Sequence, residues 1–382
     1  MNSKTELSAA KISTKKLNLT LNKIFEESSF QGFAVGIVKG DSVYFSKGYG
    51  WANAKDKVPF TEKTIMPIAS VSKTFIGFSV AKAIELGYFT AETPINEILP
   101  YPIINPNFPD DIIKVKHLFT HTSGIIDVTE VYYSTYQLNK RPDIALDVFL
   151  QEYLNTSGKL YSERNFDIHK AGKKYNYSNI ASALMAHLIE IKSGISFDEF
   201  TKKYLFEPLE LKNTHWFYNE KKAKKYATLY EIYPEDEPPH KDFINPDKTL
   251  KTYSCVTYPD GSLRSTVKDL SSFVIEMIEG YKNESDILGD EYYQLLFQKQ
   301  FSEGAFPLKF EGLENQAVFW TYDKIHSISH GGNDPGVTTS VSIDLKNKIG
   351  RIILVNCTIM NEDRKDLTGD LVKIAQALYE VQ

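Results

Sequence analysis

The amino-acid sequence predicts an α+β fold in which one antiparallel sheet, built from both chain ends, is flanked by helices and joined to a mostly helical second lobe. β-rich runs lie near the N-terminus, at 33–39 and 42–52, and again near the C-terminus, whereas the middle of the chain reads as helical segments separated by loops. We therefore assign residues 1–88 and 255–382 to the sheet-bearing lobe and residues 89–254 to the helical lobe. A cleft between two lobes is the expected position of a functional site.

The composition is that of a globular protein of two lobes. The chain has 382 residues, of which 42% are hydrophobic and 24% charged, and at this length a single compact core is near its limit. The net charge is −5 and no sustained basic stripe is present, so nucleic acid is not an expected partner. The lysine cluster at 221–225 reads as a solvated helix face, with a binding patch as the alternative.

No targeting or membrane segment is predicted. The first thirty residues contain no apolar core of a secretory signal, and no run approaches the roughly 18 apolar residues that span a membrane. Cys255 and Cys357 belong to no CxxC or Cys/His spacing, and the sequence leaves open whether they pair. It makes no prediction of the oligomeric state.

The N-terminal elements are predicted from periodicity and turn residues. Residues 15–28 form an amphipathic pattern typical of a helix. The two β-rich runs that follow are joined by Gly40 and Asp41, which predicts a hairpin. From Ile68 the apolar residues leave almost no polar face until Gly87 closes the run, so we expect a buried central helix.

The C-terminal elements return to strand patterns. Residues 260–280 read as a turn entering a helix, with Ser265 or Thr266 as its N-cap. Three β runs follow, AVFWTY, VTTSVSIDL and RIILVNCTI. A helix over about 363–380 is expected to end the chain.

A serine and a lysine, Ser70 and Lys73, stand three residues apart at the start of the buried helix. The same S-x-x-K spacing recurs elsewhere in the chain, but only this pair lies at the head of an apolar helix, where the helical repeat places both on one face. A serine hydroxyl is a weak nucleophile until an adjacent base takes its proton, so the pair is typical of acyl transfer. An N-capping serine and a surface lysine would give the same letters.

A second motif, Tyr177-Ser178-Asn179, precedes another helix that reads as buried. A phenol near a cationic lysine can act as an acid or base, and an amide can hold a substrate carbonyl. The alternative is that Asn179 merely caps the helix.

A third motif, His330-Gly331-Gly332, lies at the end of one predicted strand and before the next. Paired glycines at a strand edge let a ligand or another backbone approach closely. A tight turn is the competing explanation.

Together, and in this order, the motifs resemble the serine β-lactamase and penicillin-binding-protein family, in its class C β-lactamase, DD-carboxypeptidase and esterase branch. The segments GYGWANAKDKVPFTEKTIMPIASVSKTF, VKHLFTHTSGI, DGSLRSTVKDLSSF and SHGGNDPGVTTSVSID carry the resemblance, which runs from about residue 30 to 380. It implies a β-lactamase/transpeptidase-like fold. It also implies a serine hydrolase of DD-peptidase, D-aminopeptidase or esterase type that forms an acyl-enzyme intermediate.

The resemblance implies three catalytic residues. Ser70 would be the acylated nucleophile, and Lys73 would help to deprotonate it and shuttle protons. Tyr177 would be the general base or acid for acylation and for departure of the leaving group.

The resemblance also implies a set of substrate-binding residues, namely Asn179, His330, Gly331 and Gly332. The backbone N–H groups of Ser70 and Asn333 would form the oxyanion hole. His330 stands where β-lactamases carry the lysine of Lys-Thr-Gly, so a titratable imidazole replaces a permanent cation and a threonine hydroxyl is missing. We therefore expect a D-amino-acid peptide or amide, or a small ester, as substrate, and slow turnover of β-lactams.

No cofactor is expected, and the expected partner is a small-molecule or peptide substrate. His117 and His121, four residues apart, form the alternative metal pair, but no His-Glu-x-x-His and no third ligand accompany them. A penicillin-responsive or catalytically idle binding or scaffold protein is the alternative function. The resemblance favours a periplasmic or secreted protein, with the cytoplasm as the alternative if Met1 is native.

Overall fold

A computed structural model describes residues 3–231, 241–302, 304–308, 313–324, 327–359 and 365–381. The strands within these ranges are β1 (Gly32–Lys39), β2 (Ser42–Asn53), β3 (Val58–Pro59), β4 (Met66–Pro67), β5 (Tyr136–Gln137), β6 (Ser254–Cys255), β7 (Arg264–Ser265), β8 (Asn315–Gln316), β9 (Thr321–Tyr322), β10 (Ser327–Asp334), β11 (Val337–Asp344) and β12 (Ile349–Val355). The α-helices are α1 (Ser3–Glu27), α2 (Ser72–Glu85), α3 (Val115–Phe119), α4 (Thr129–Tyr133), α5 (Leu146–Leu154), α6 (Asn179–Ser193), α7 (Phe197–Thr201), α8 (Val267–Tyr281), α9 (Asp290–Phe297) and α10 (Lys365–Tyr379).

The main sheet joins the two ends of the chain. Its strand order is β3-β2-β1-β12-β11-β10-β9-β8, and neighbouring strands pair antiparallel. β1 lies directly beside β12, with Phe33 opposite Val355. The predicted α+β fold class, with a sheet built from both chain ends, is confirmed.

Helices cover both faces of this sheet, which is why β1 is buried along nearly its whole length. Alternate residues of β1, such as Phe33 and Val35, pack with Leu21 of α1 and Leu378 of α10. The residues between them face α8 and the larger core. Each fully buried aliphatic or aromatic side chain of this kind contributes about 1.5–3 kcal/mol to folding.

Close packing of α8 on the sheet fixes the position of α2 in turn. A β-carbon at Gly350 of β12 would lie 2.1 Å from Val274 Cγ1 of α8, so only glycine permits this approach. On the other side of α8, Phe273 stacks on Phe75 of α2 with ring centroids 4.1 Å apart. The predicted central helix is therefore held against the sheet through α8.

The segment between the two sheet-forming parts of the chain contributes α3 to α7. α6 is buried over residues 180–189 and shares the main core with sheet residues such as Ile352. The lobe boundaries at 88/89 and 254/255 stay a prediction.

Among the described helices, none alone is long and apolar enough to span a membrane. α6 and the segment that follows it are long and apolar enough only when taken together, and the two are bent by 80° relative to each other.

One predicted strand is wrong, and two questions that the sequence left open are answered. The run AVFWTY was predicted as one strand, but it is a tight hairpin in which 317–320 connect β8 to β9, with Phe319 at φ 56°. The segment is apolar because Phe319 and Trp320 are buried in the core, and not because its backbone is extended. Of the two candidate caps of α8, Thr266 is the N-cap, accepting a hydrogen bond from Asp269 N. Cys255 and Cys357 are both buried and form no disulfide with each other.

Candidate active site

Ser70 lies in a 3-10 turn, Ala69–Val71, that leads directly into α2. The residue before it, Ala69, has φ 47°, a left-handed conformation that is uncommon for a residue with a β-carbon. The turn is tied to its surroundings because Thr339 Oγ1 donates to Ile68 O at 2.7 Å. Such strained and over-determined backbone is concentrated at functional sites.

Strand β10 runs against this turn at Gly332. A β-carbon there would lie 2.6 Å from Ile68 O and 3.0 Å from Ser70 N, so a side chain would separate the strand from the serine. The next residue, Asn333, is exposed, and its Oδ1 accepts a hydrogen bond from Thr338 Oγ1 at 3.2 Å. The third predicted motif is thus brought against the first.

Lys73 is fully buried and points back at the serine. Its Nζ donates to Ser70 Oγ at 3.2 Å, to Asn179 Oδ1 at 2.7 Å and to Asp260 O at 2.7 Å. An ammonium has three N–H donors, and three acceptors meet them here. The amine is therefore fixed within reach of the Ser70 hydroxyl for proton transfer.

The start of α6 presents Asn179 to Lys73 while other groups cap the helix. Ser178 is the N-cap and accepts a hydrogen bond from Ala181 N at 2.9 Å. The Asp127 carboxylate accepts from Asn179 N at 2.6 Å and from Ile180 N at 3.1 Å, which satisfies helix donors that lack partners within the helix. The alternative reading of Asn179 as the cap is therefore wrong. Asp127 was not predicted, because it reaches α6 from a loop 52 residues earlier.

Tyr177 lies at the cleft with 38% of its surface exposed. Its ring centroid is 4.9 Å from Lys73 Nζ, a cation–π geometry, and 4.4 Å from the His121 ring. Within the described part of the chain, the Tyr177 hydroxyl makes no hydrogen bond to Ser70 or Lys73. Its assignment as acid or base stays a prediction.

His121, whose ring packs against the Tyr177 ring, was not predicted as a site residue. Its Nδ1 accepts from Ser178 N at 3.3 Å. Burial, with Lys73 and His330 nearby, holds the pKa of His121 well below its usual value, so the imidazole is neutral. His117 lies apart from it, with Nδ1 accepting from Lys114 N at 3.1 Å, and no group of three or more potential metal ligands occurs among the described residues.

His330 carries no charge at neutral pH. Burial, and then the charge of Lys73, lower its pKa to about 4. Its Nδ1 lies 2.7 Å from Gly331 O, so this nitrogen carries the proton and Nε2 is the acceptor. The sequence predicted that His330 is a titratable group. In the structure the pKa of His330 lies below the physiological range.

The cleft in front of Ser70 has a volume of about 870 Å³, a size typical of small-molecule sites. The predicted residues Ser70, Tyr177, Asn179, His330, Gly331, Gly332 and Asn333 line it. Further tyrosines also line it, namely Tyr132, Tyr133, Tyr136 and Tyr175.

Two carboxyl groups in the cleft wall, Asp260 and Asp334, were not predicted. Burial raises the pKa of Asp260 to about 6. Burial, and to a smaller extent the charge of Asp260, raise the pKa of Asp334 to about 7, although the hydrogen bonds from Tyr136 and Tyr253 act in the opposite direction. Asp260 and Asp334 both lie in segments whose residues are typical of turns. No local sequence pattern therefore indicated that they belong to the site.

Comparison with known protein families matches residues 19–376 to the family described as Beta-lactamase. Protein flp of Staphylococcus aureus (strain MW2) is 22% identical over 346 residues, covering 90% of this chain and 63% of that protein. Penicillin-binding protein 4* of Bacillus subtilis (strain 168) is 24% identical over 343 residues, covering 85% of this chain and 68% of that protein. The chain thus spans less than two thirds of the length of Protein flp.

Solved structures resemble the fold over nearly the whole chain. A beta-lactamase/D-alanine carboxypeptidase from Pseudomonas syringae superposes with a TM-score of 0.72 at 19% identity, covering 98% of this chain and 99% of that one. The octameric penicillin-binding protein homologue from Pyrococcus abyssi gives a TM-score of 0.68 at 20% identity, covering 96% and 77%. At these identities the likeness shows the fold alone.

Proposed function

Since the chain belongs to the Beta-lactamase family, we propose that it is a serine hydrolase that cleaves an amide, peptide or ester through an acyl-enzyme intermediate on Ser70. The observation that carries the proposal is the position of Lys73 Nζ, 3.2 Å from Ser70 Oγ. Two further hydrogen bonds, to Asn179 and Asp260, hold the amine there. A nucleophile within reach of an oriented base is the arrangement that acyl transfer requires.

Acylation follows from this geometry. In its neutral form Lys73 keeps two N–H donors on Asn179 Oδ1 and Asp260 O, which directs the nitrogen lone pair at Ser70. The Ser70 proton passes to Nζ while Oγ bonds to the substrate carbonyl carbon. The backbone N–H groups of Ser70 and Asn333 stabilise the resulting oxyanion.

Collapse of the tetrahedral intermediate releases the leaving group. The Tyr177 hydroxyl, exposed at the cleft, donates the proton that the leaving nitrogen or oxygen needs, and takes it back by way of Lys73. A water molecule then attacks the acyl carbon by the same route and restores the Ser70 hydroxyl.

The third motif favours substrates without a carboxylate near the scissile bond. His330 is neutral because its pKa is about 4, and Gly331 provides no side-chain hydroxyl. Charge-assisted hydrogen bonds are about twice as strong as neutral ones, so a β-lactam carboxylate is held weakly here. We therefore favour a D-amino-acid peptide or amide, or a small ester.

A hydrolysis panel tests this function. Wild-type protein and Ser70→Ala are assayed on D-alanine p-nitroanilide, p-nitrophenyl acetate and a chromogenic cephalosporin. We expect Ser70-dependent turnover of the anilide or the ester, with a slower cephalosporin reaction. Cephalosporin hydrolysis near a kcat/KM of ~10⁶ M⁻¹s⁻¹, well inside the range of efficient enzymes, contradicts the substrate assignment. A permanent Ser70 adduct without turnover contradicts the hydrolase and indicates a penicillin-responsive protein.

A further inference from the structure

Two carboxyl groups face the same cleft as Ser70. Asp334 ends β10, two residues beyond Gly332, and is partly exposed. Asp260 is 2% exposed, and its backbone oxygen is an acceptor for Lys73. Both residues line the cleft, so a substrate acylating Ser70 lies beside them.

Tyrosine hydroxyls hold this carboxyl pair. Tyr136 donates to Asp334 Oδ1 at 2.7 Å. The single proton of the Tyr253 hydroxyl is shared between Asp334 Oδ2 at 3.2 Å and Pro335 O at 3.0 Å. Tyr132 donates to Asp260 Oδ1 at 3.3 Å. Thr257 also acts on the Asp260 carboxyl group by hydrogen bonding, which lowers its pKa, but Asp260 Oδ2 is buried and has no hydrogen-bond partner among the described residues. A buried carboxylate oxygen without a donor is costly, which points to a donor supplied by a ligand.

The cationic side chains near Asp260 and Asp334, Lys73 and Arg264, donate their hydrogen bonds to other acceptors. Lys73 acts on both carboxyl groups through its charge, but its three donors are taken. Arg264 interacts with Asp334 electrostatically, yet its guanidinium donates to the backbone oxygens of Trp216, Ser262 and Tyr253.

The cleft lining also contains Glu231 and Lys241, whose opposite charges leave the net charge of the lining unchanged. Neither Asp260 nor Asp334 forms an ion pair within the described residues. Burial and the repulsion of Asp260 contribute to raising the pKa of Asp334 to about 7, so above that pH the wall holds two negative charges.

We propose that the pair Asp260 and Asp334 binds a primary ammonium group of the substrate, such as the free α-amine of a D-amino-acid amide or peptide. The inference rests on the proposed hydrolase function of Ser70 and names its substrate class. An ammonium supplies three N–H donors, which serve Asp334 and the unpartnered oxygen of Asp260. It also removes the repulsion between the two carboxylates.

Three anilides separate the sources of the ammonium. D-Alanine p-nitroanilide carries it on the α-carbon, Nα-acetyl-D-lysine p-nitroanilide on the side chain, and N-acetyl-D-alanine p-nitroanilide has none. At pH 8 we expect wild-type kcat/KM for one of the first two to exceed that for the third by about 10- to 100-fold, the range for a charge-assisted hydrogen bond. The more favoured anilide identifies the source.

Substitutions then assign the preference to the carboxyl pair. In Asp334→Asn the ratio between ammonium-bearing and uncharged anilides should fall towards one. Asp344→Asn, on the neighbouring strand β11 and outside the cleft lining, is the matched control and should keep the wild-type ratio. An unchanged ratio in Asp334→Asn, or a wild-type preference for the uncharged anilide, overturns the inference.

A binding measurement keeps this test independent of catalysis. D-Alaninamide, Nα-acetyl-D-lysinamide and N-acetyl-D-alaninamide are titrated into Ser70→Ala protein by calorimetry, with Asp260→Asn as a second variant should Asp334→Asn fail to fold. Tighter binding of either ammonium-bearing amide that either variant removes supports the inference even if no substrate is hydrolysed. Equal affinity for all three amides overturns it even if Ser70 proves to be the nucleophile.

Discussion

Lys73 is held by groups that are themselves fixed by the backbone. Asp260 O is a main-chain acceptor, and Asn179 is the first residue of α6, anchored through its N–H to Asp127. The lysine cannot swing away from Ser70 without leaving buried polar groups unpaired, which costs about 1–3 kcal/mol for each group. The side chain is therefore held in one position beside Ser70.

Lys73→Ala and Tyr177→Phe should each lower the acylation rate by about 10²- to 10⁴-fold, because under the proposed mechanism each removes an acid or base. The burst of p-nitrophenol from p-nitrophenyl acetate, followed by stopped flow, measures this rate. Lys82→Ala is the matched control, since Lys82 also follows a serine by three residues on α2 but pairs with Glu85. Equal losses in the Lys73 and Lys82 variants would show that the S-x-x-K pair has no special role.

His330→Lys should strengthen binding of a free carboxylate by about tenfold, through a charge-assisted hydrogen bond that the neutral imidazole does not form. Since the pKa of His330 is about 4, the wild-type ring is neutral at both pH 8 and pH 6. The advantage of the variant should thus be the same at both values and shrink only as the pH approaches 4.

Competitive inhibition by N-acetyl-D-alanyl-D-alanine measures this advantage, with the C-terminal amide of the same peptide as the control. The variant-to-wild-type ratio cancels the titration of Asp260 and Asp334, which both proteins share. An advantage that already disappears between pH 8 and pH 6 would mean that His330 titrates in its ordinary range.

At the scale of elements, the site depends on how closely β10 approaches the turn before α2. In Gly332→Ala the new methyl group would lie 2.4 Å from Thr339 Oγ1 and 3.0 Å from Ser70 N, so the strand or the turn must move. We expect acylation to fall by at least about 10²-fold, because displacements of about 1 Å have that effect on reacting groups.

The matched control for this substitution is Gly331→Ala, whose β-carbon would meet no atom within 4 Å. Thermal unfolding should show a lower Tm for Gly332→Ala than for Gly331→Ala. A Gly332→Ala protein that acylates at the wild-type rate would contradict the described packing of β10 against Ser70.

Local patterns predicted the elements, but not the contacts made between distant ones. The helical phase of Ser70 and Lys73, the first hairpin and the cap at Thr266 follow from spacing over a few residues. Asp127 could not be found in this way, because it caps α6 from 52 residues away. The hairpin of β8 and β9 was missed because a buried apolar run has the same letters in a strand and in a turn.

The whole molecule assembles the site from distant parts of its sequence. Lys73 is separated by 106 residues from Asn179 and by 187 residues from Asp260. Within the described residues, β10 pairs with β11 and β9. The resemblance to a known family supplied what spacing could not, namely which distant motifs meet. It did not mark Asp260 and Asp334.

Asp334 should make stability depend on pH in a defined direction. Its pKa is about 7 in the folded protein and about 3.9 in an unfolded chain. Between these values the folded state retains a proton that the unfolded state releases, so this group's contribution to the free energy of unfolding falls as pH rises from 4 to 7. Asp334→Asn cannot ionise and should therefore gain stability relative to wild type between pH 5 and pH 8.

Urea unfolding of both proteins at the two pH values measures this difference. Histidines with lowered pKa, such as His117 at about 4 and His215 at about 3, act in the opposite direction below pH 6.5 but are common to both proteins and cancel. A variant that gains more at pH 5 than at pH 8 would refute the raised pKa of Asp334.

The most direct test of Ser70 as the nucleophile is to measure the mass of a covalent adduct and to find its position in the chain. Wild-type protein is treated with a fluorophosphonate and analysed intact and after digestion, beside Ser70→Ala and Ser79→Ala, the latter a serine of α2 that precedes Lys82 by three residues. We predict one adduct per wild-type molecule, on Ser70, unchanged in Ser79→Ala and absent from a folded Ser70→Ala. Labelling of Ser70→Ala at the wild-type rate, or an adduct that maps to another residue, would contradict Ser70 as the nucleophile.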